Sequence, residues 1–153
     1  MYKIGDVAGM LGTSIRSIRF YEEEGLLDPL RSGGGTRLYS NRHIDRLRAI
    51  LRLTKSGYSI GLIKALAQTR ERCRTGDQSQ KAVSARLDKL LADVDAQIAH
   101  LIALREQFSE AKRAVRKCSG CANKPTTRGC PACPVQQRLA DIELLNLVWD
   151  QDA

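Results

Sequence analysis

The sequence has few aromatic residues and no long apolar run. Only 5% of its 153 residues are Phe, Trp or Tyr, and histidine occurs twice. A membrane-spanning helix needs about 18 or more consecutive apolar residues, and no such run is present. The N-terminus has no apolar stretch behind a basic start, so we expect no secretory signal, no membrane partner and a cytoplasmic location.

The sequence also lacks the pattern of a thiol enzyme. No alternation of strands and helices surrounds its Cys-x-x-Cys pairs, and neither pair has a paired histidine or acid. Thiol oxidoreductases place this motif beside a βαβ unit. We therefore predict that the chain is not an enzyme.

Glycine and proline are both missing from residues 77–117. Apolar residues there recur at alternating steps of four and three, which indicates a coiled-coil seam on a long helix. Such a helix of roughly 40 residues is about 60 Å long and cannot bury its own stripe. We expect a second copy of the chain to cover this stripe, which comprises Leu87, Leu91, Val94, Ile98, Leu101 and Phe108.

Positive charge is concentrated in the first half of the chain. Residues 1–75 contain 14 Lys and Arg against 7 Asp and Glu, whereas residues 76–153 contain 11 against 10. A lopsided positive field of this kind favours a polyanionic partner.

Two short helices joined by a tight turn are predicted near the N-terminus. The first spans residues 6–11 and is closed by Gly12, and Thr13 or Ser14 caps a second over residues 15–22. This is the helix-turn-helix plan, in which the second helix enters the major groove of DNA.

The following elements are less regular. Pro29 and three successive glycines predict a loop or small hairpin over residues 28–39. Further helices are predicted at about 41–56 and 60–72, and a short final helix begins at Pro134.

Four of the five cysteines have the spacing Cys-x2-Cys-x8-Cys-x2-Cys. Two pairs this close predict four thiolates that converge on a metal. Thiolates suit zinc, copper(I) and iron–sulfur clusters, and disulfides rarely persist in the cytoplasm. The candidate ligands are Cys118, Cys121, Cys130 and Cys133.

The cysteine region is rich in cations and contains no acid. Between residues 116 and 138 we expect the basic side chains to lower the thiol pKa values and to offset an anionic site. These side chains are Arg116, Lys117, Lys124, Arg128 and Arg138.

Residues 2–66 resemble the MerR family of transcription regulators. The resemblance rests on an ordered string of motifs: Tyr2-Lys3-Ile4-Gly5-Asp6-Val7-Ala8, Ser17-Ile18-Arg19-Phe20-Tyr21-Glu22-Glu23-Glu24-Gly25-Leu26-Leu27, Arg37-Leu38-Tyr39-Ser40 and Gly57-Tyr58-Ser59-Ile60. The long helix with cysteines just past its end resembles the metal- and redox-sensing branch. A drug-binding member would have a longer, aromatic-rich ligand domain, for which this chain has little room.

The resemblance implies a fold, partners and a mode of action. The fold is mainly α, with a winged helix-turn-helix head at 1–73, a dimerisation helix at 74–117 that forms an antiparallel coiled coil, and a cysteine loop with a short helix at 118–153. The homodimer would bind a palindromic double-stranded promoter, bend and untwist it, and act on RNA polymerase there.

Residue by residue, the resemblance and the helix pattern give a set of candidate DNA contacts. Arginines on the second helix can pair with guanine or clamp phosphate, and hydroxyls can contact phosphate. Phe20 and Leu26 are expected in the core. The candidate contacts are Thr13, Ser14, Arg16, Arg19, Tyr21, Arg37, Tyr39 and Arg42.

Several interpretations of the cysteines stay open. They are a responsive site for a thiophilic ion, a closed structural zinc site, an iron–sulfur redox centre of the SoxR type, or unligated thiols. Zinc is the favoured metal. The SoxR-type site has a cysteine two residues after the second, where this chain has Asn123. Cys73, near the start of the long helix, is a candidate additional ligand, as in the mercury-type sensors.

Overall fold

The computed structural model describes residues 1–126, 128–129 and 133–149. It contains two compact units, Met1–Asp88 and Lys89–Ala153. Its secondary structure is mainly helical, which confirms the predicted fold class. The α-helices are α1 (Ile4–Leu11), α2 (Ile15–Glu23), α3 (Asn41–Lys55), α4 (Ile60–Ala67) and α5 (Gly76–Val115).

The first two helices begin and end where the sequence supplies caps. The backbone N–H of Lys3 donates to the Asp6 carboxylate at 3.1 Å at the start of α1. Gly12 ends α1 with a φ of 59°, a conformation that favours glycine. Ser14 Oγ then accepts from the backbone N–H of Ser17 at 3.0 Å and starts α2. The predicted helix-turn-helix is therefore confirmed in its local structure.

A small antiparallel hairpin forms the wing. Strands β1 (Leu30–Arg31) and β2 (Arg37–Leu38) pair with Leu30 opposite Leu38 and Arg31 opposite Arg37. The chain then pairs once more, because Tyr39 and Tyr2 exchange two backbone hydrogen bonds of 2.9 Å. The N-terminus is thus fastened to the end of the wing.

Two further helices complete the head and its core. Ser40 and Ser59 cap α3 and α4 by accepting from backbone N–H groups three residues on. Helix α4 ends at Ala67, earlier than predicted, where the backbone N–H of Thr69 donates to the carbonyl of Leu66 and its hydroxyl to that of Ala65. The buried core comprises Val7, Ala8, Ile18, Tyr21, Leu26, Leu27, Tyr39, Ile44, Leu47, Ile50 and Ile63.

Helix α5 has 40 residues, and its predicted apolar stripe is exposed to solvent. Leu91 and Leu101 are each 61% exposed, and the other members of the stripe lie between 39% and 56%. Among the described residues, no helix has the length and apolar character needed to span a membrane.

The chain after α5 forms 3₁₀ helices at Arg116–Cys118, Gln136–Arg138 and Glu143–Leu147. The final helix predicted from Pro134 is thus present as two short 3₁₀ helices. Ile142 interrupts it with a non-helical backbone, and the Asn146 amide donates to the carbonyl of Leu139 at 2.9 Å. A small second core is formed by Ala114, Val135, Ile142 and Leu145.

Candidate functional site

The outer face of α2 carries two arginines. Arg16 and Arg19 are exposed, whereas Ile18 and Tyr21 are buried against the head core. Phe20 was expected in the core, but it is 42% exposed. The reason is geometric: Phe20 lies two residues, or about 200°, around the helix from Ile18.

A single carboxylate joins α2 to the wing. Glu22 Oε2 accepts from Arg37 Nε at 2.8 Å, and Glu22 Oε1 accepts from the Tyr39 hydroxyl. Hydrogen bonds to an ionised partner are the strong ones, and the Glu22 side chain is only 11% exposed, whereas that of Arg37 is 38% exposed. Tyr39 is fully buried, and burial together with the Glu22 hydrogen bond raises the pKa of its hydroxyl far above the ordinary value.

The other predicted contacts occupy different environments. The Ser14 hydroxyl is engaged in capping and also bonds to Ser17 Oγ at 2.8 Å. Thr13 is half-buried, and Arg42 is exposed in the first turn of α3. Tyr21 is a buried residue, but its hydroxyl is accessible to solvent. Within the part of the chain that the structure describes, this hydroxyl makes no hydrogen bond.

A cleft of about 300 Å³ lies between α2 and the wing. Arg19, Arg31 and Arg37 all line it, so three cations from three elements meet at one surface, together with three carboxylates, those of Glu22, Glu23 and Asp28. Arg31 was not among the predicted contacts. Its signal was present in the sequence, because Arg31 and Arg37 flank the glycine turn and therefore face each other across the hairpin.

Just past α5, Cys118 lies close to Cys121 and Cys133. The 3₁₀ helix Arg116–Cys118 ends at Cys118, and the backbone N–H of Cys121 donates to the Cys118 carbonyl at 3.0 Å. The thiols of Cys118 and Cys133 share a hydrogen bond. Burial, the neighbouring Cys133 and then Cys121 raise the pKa of the Cys118 thiol. Cys130 lies outside the described residues.

The predicted effect of the basic side chains on the thiols is wrong for Cys118. Its pKa is raised, chiefly by burial and then by the neighbouring sulfurs of Cys133 and Cys121. One of those cations is engaged elsewhere: Arg138 Nη2 pairs with Glu110 Oε1 at 2.7 Å. Within residues 1–126, 128–129 and 133–149, no group of three or more His, Cys, Asp or Glu is arranged to hold a metal ion.

The loop between the cysteine pairs is tightly closed. The Thr126 hydroxyl accepts from the backbone N–H of Gly129 at 2.9 Å. A Cβ atom on Gly129 would lie 2.2 Å from the carbonyl oxygen of Lys124, so only glycine fits there without moving the backbone. The turn at Gly120 has a φ of 75° and also favours glycine.

Cys73 lies apart from this loop in sequence and belongs to the Met1–Asp88 unit. It is half-buried, and its thiol donates to the Thr69 carbonyl at 3.2 Å. It also lines an open groove of about 530 Å³ at the start of α5, together with Arg70 and Arg74.

Comparison with known proteins is consistent with this architecture. The family described as "MerR HTH family regulatory protein" matches residues 2–70. The HTH-type transcriptional regulator CueR of Vibrio cholerae is 31% identical over 108 residues, which cover 70% of this chain and 76% of that protein.

Two solved structures are also similar. The transcription regulator PbrR691 from Ralstonia metallidurans CH34, solved in complex with lead(II), is 32% identical with a TM-score of 0.51 over 74% of this chain and 88% of that one. HiNmlR, a MerR family regulator lacking the sensor domain and bound to promoter DNA, has the same fold, with a TM-score of 0.65, 24% identity and coverage of 77% and 88%.

These matches identify a transcription factor, which confirms the prediction that the chain is not an enzyme. The resemblance to the metal-sensing branch is likewise supported by the relatives. The chain belongs to the MerR family of helix-turn-helix, DNA-binding transcription regulators.

Proposed function

We propose that this regulator binds a palindromic promoter as a homodimer, distorts the DNA, and responds to a thiophilic metal ion through Cys118, Cys121, Cys130 and Cys133. The observation that carries the sensing part is the proximity of Cys118 to Cys133 and Cys121: burial and then these two neighbouring sulfurs raise the pKa of the Cys118 thiol. Thiolates crowded together repel one another, and a bound cation relieves that repulsion. The division into a head at 1–73, a dimer helix at 74–117 and a sensor at 118–153 belongs to this proposal.

For DNA binding, we assign direct contacts to the exposed cations. Arg16 and Arg19 project from α2, the recognition helix, and would meet base edges or phosphates in the major groove. Arg31, Arg37 and Arg42 would contact the phosphate backbone, since basic side chains supply most of the affinity for DNA.

The hydroxyl-bearing candidates fall into two groups. The Tyr21 hydroxyl can donate to a phosphate, and Thr13 and Ser14, which directly precede α2, lie where a helix end attracts phosphate. Tyr39 has a different role in this proposal: its hydroxyl is committed to Glu22, so it positions Arg37 instead of touching DNA.

For dimerisation, the exposed stripe of α5 is the proposed interface. A row of large apolar side chains that are 39–61% exposed is costly in water, and an identical helix running antiparallel would cover it. The antiparallel arrangement and the action on RNA polymerase follow from the family resemblance.

For the metal, the donor set fits a soft ion. Cysteine sulfur favours zinc, copper(I), lead-like ions and iron–sulfur clusters over hard cations, and the PbrR691 structure contains lead(II). Zinc remains the favoured ion, and Cys73 is a candidate additional ligand. A bound metal would hold the two ends of the closed Lys124–Gly129 loop through the cysteines beside it. The alternatives are an iron–sulfur redox centre and a purely structural zinc site.

The first experiment identifies the bound group. The protein is purified without oxygen, its visible spectrum is recorded, and zinc, iron and sulfide are assayed on the same sample. One zinc per chain in a colourless protein is the expected result. A brown protein with iron and sulfide would replace the metal-ion proposal with the redox alternative.

The second experiment separates sensing from structure. Cys121→Ser is expected to abolish the response of promoter transcription to added zinc, while the affinity for promoter DNA stays within about twofold. Ser119→Ala, at the exposed residue between Cys118 and Cys121, is the matched control, and Cys73→Ser tests the candidate additional ligand separately. Loss of both response and DNA binding in Cys121→Ser would show a structural site.

A further inference from the structure

The first residue of the recognition helix is an exposed isoleucine. Ile15 follows the capping residue Ser14 directly and is 42% exposed. A β-branched apolar side chain is neither a favoured helix former nor well placed in water. Because the side chain is exposed, its methyl groups are free to contact a ligand that approaches this end of α2.

The position of Ile15 on α2 defines where that contact lies. With about 100° between successive residues, Arg19 lies about 40° around the helix from Ile15, and Arg16 about 100°. Both arginines are exposed. Ile15 thus borders the arginine face, on the turn nearest the N-terminus of the helix.

The chemistry of the major groove narrows the choice of ligand. The N-terminal residues of a recognition helix contact base edges. An isoleucine side chain neither donates nor accepts a hydrogen bond, and the apolar feature that the major groove offers is the C5-methyl group of thymine.

Phe20 is a weaker candidate for the same contact. It is equally exposed, but it lies five residues further from the N-terminus, and its ring already contacts the Tyr21 ring, with centroids 5.6 Å apart.

We propose that Ile15 reads a thymine in each half-site through the C5-methyl group of that base. This inference rests on the proposed function, because it requires α2 to enter the major groove. It adds a specificity-determining residue that recognises a base through apolar contact alone. The neighbouring arginines would instead bind base edges or phosphates through hydrogen bonds and charge.

The test begins with the full-length protein and a pool of random double-stranded DNA. Repeated selection yields the preferred duplex, and each thymine in it is then replaced singly by uracil, which lacks only the methyl group. Affinities are measured by fluorescence anisotropy. For the wild-type protein, we expect one uracil position per half-site to weaken binding about fourfold, the effect of losing one buried methyl group.

Ile15→Ala provides the decisive comparison. The variant should fold, because alanine is the best helix former and the site is exposed. It should bind the thymine and uracil duplexes equally well. Met10→Ala is the matched control: Met10 is 49% exposed on α1, and its loss should leave the fourfold difference intact.

Two results would overturn the inference, and they differ in what they say about the proposed function. If Ile15→Ala keeps the full thymine preference, or no uracil position matters, while Arg19→Ala still weakens binding, then only the role of Ile15 fails. If selection enriches no sequence, specific promoter recognition itself fails, and the role of Ile15 fails with it.

Discussion

The head (residues 1–73) and the cysteine segment (residues 116–149) are stabilised in different ways. Among the described residues, the head has eleven buried core residues, whereas the core beside the cysteine segment has four. Helices α2, α3 and α4 begin at serine side-chain caps, but none of the 3₁₀ helices of the cysteine segment has such a cap.

The comparison shows where each region obtains its stability. A core of eleven residues with capped helices can maintain a small fold by burial alone. Four buried residues are too few, and small folds of that kind depend on a metal or a cross-link. We therefore expect the head to be stable without metal and the cysteine segment to depend on it.

Metal removal should give the largest effect. A thiol-competing chelator is expected to increase amide exchange at residues 118–149 by about 100-fold or more, because a structural zinc contributes about 10–16 kcal/mol to the folding of small zinc domains. Exchange in the head should not change. Hydrogen exchange with mass spectrometry measures both regions at once.

The control for this prediction is the double variant Cys118→Ser, Cys121→Ser, whose exchange should already be fast and should not respond to the chelator. Slow exchange in the wild-type segment after complete metal removal would contradict the comparison.

Substitutions that create a cavity in one of the two cores should have the second largest effect, and each should affect only its own region. Leu47 is fully buried, so Leu47→Ala is expected to lower the free energy of unfolding of the head by about 2–5 kcal/mol. Leu145→Ala, at a residue 2% exposed, should speed exchange only in the cysteine segment. Denaturant unfolding and hydrogen exchange test the pair. An equal loss of head stability in Leu145→Ala would show that the regions are coupled.

Breaking the Glu22 pairing should have an intermediate effect within the head. Glu22→Ala leaves the buried Tyr39 hydroxyl without its acceptor, which costs about 1–3 kcal/mol. Glu23→Ala, at an exposed neighbouring residue, should change little. Thermal unfolding measures both.

A second variant sharpens the Glu22 result. Adding Tyr39→Phe to Glu22→Ala removes the unpaired hydroxyl and should recover part of the lost stability. If the double variant is as unstable as the sum of the single variants, the hydroxyl is not the source of the cost.

Loss of a single cap should have the smallest effect. Ser59→Ala removes the acceptor for the backbone N–H of Leu62 and is expected to cost about 1 kcal/mol. Ser56→Ala removes only a second hydrogen bond to the Arg52 carbonyl and should cost less. Chemical denaturation of both variants checks the order, and the reverse order would contradict the capping role.

Much of the head could be predicted because its signals are local. Ser14, Ser40 and Ser59 all cap the helices that the sequence placed after them, and Gly12 ends α1. The hairpin was indicated by its proline and glycines. Local signals of this kind depend only on neighbours in the chain, so the sequence displays them directly.

The features that were missed depend on distant residues. Glu22 pairs with Arg37, which is 15 positions further along the chain, and with Tyr39, which is 17 positions further. The periodicity of the sequence does not reveal contacts at such separations. The raised pKa of Cys118 depends on burial and on Cys133, which is 15 residues away in sequence. The final helix is interrupted at Ile142, where the Asn146 amide donates to the carbonyl of Leu139, seven residues earlier.

The Glu22 carboxylate also has a mechanical consequence. The Glu22 carboxylate, whose side chain is 11% exposed, links the strand that carries Arg37 to the helix that carries Arg19. The distance between β2 and α2, and hence between the backbones of these two arginines, is therefore set within the head. We expect a change in how the regulator holds a duplex to move whole heads, because loosening the wing from α2 would break both hydrogen bonds to Glu22.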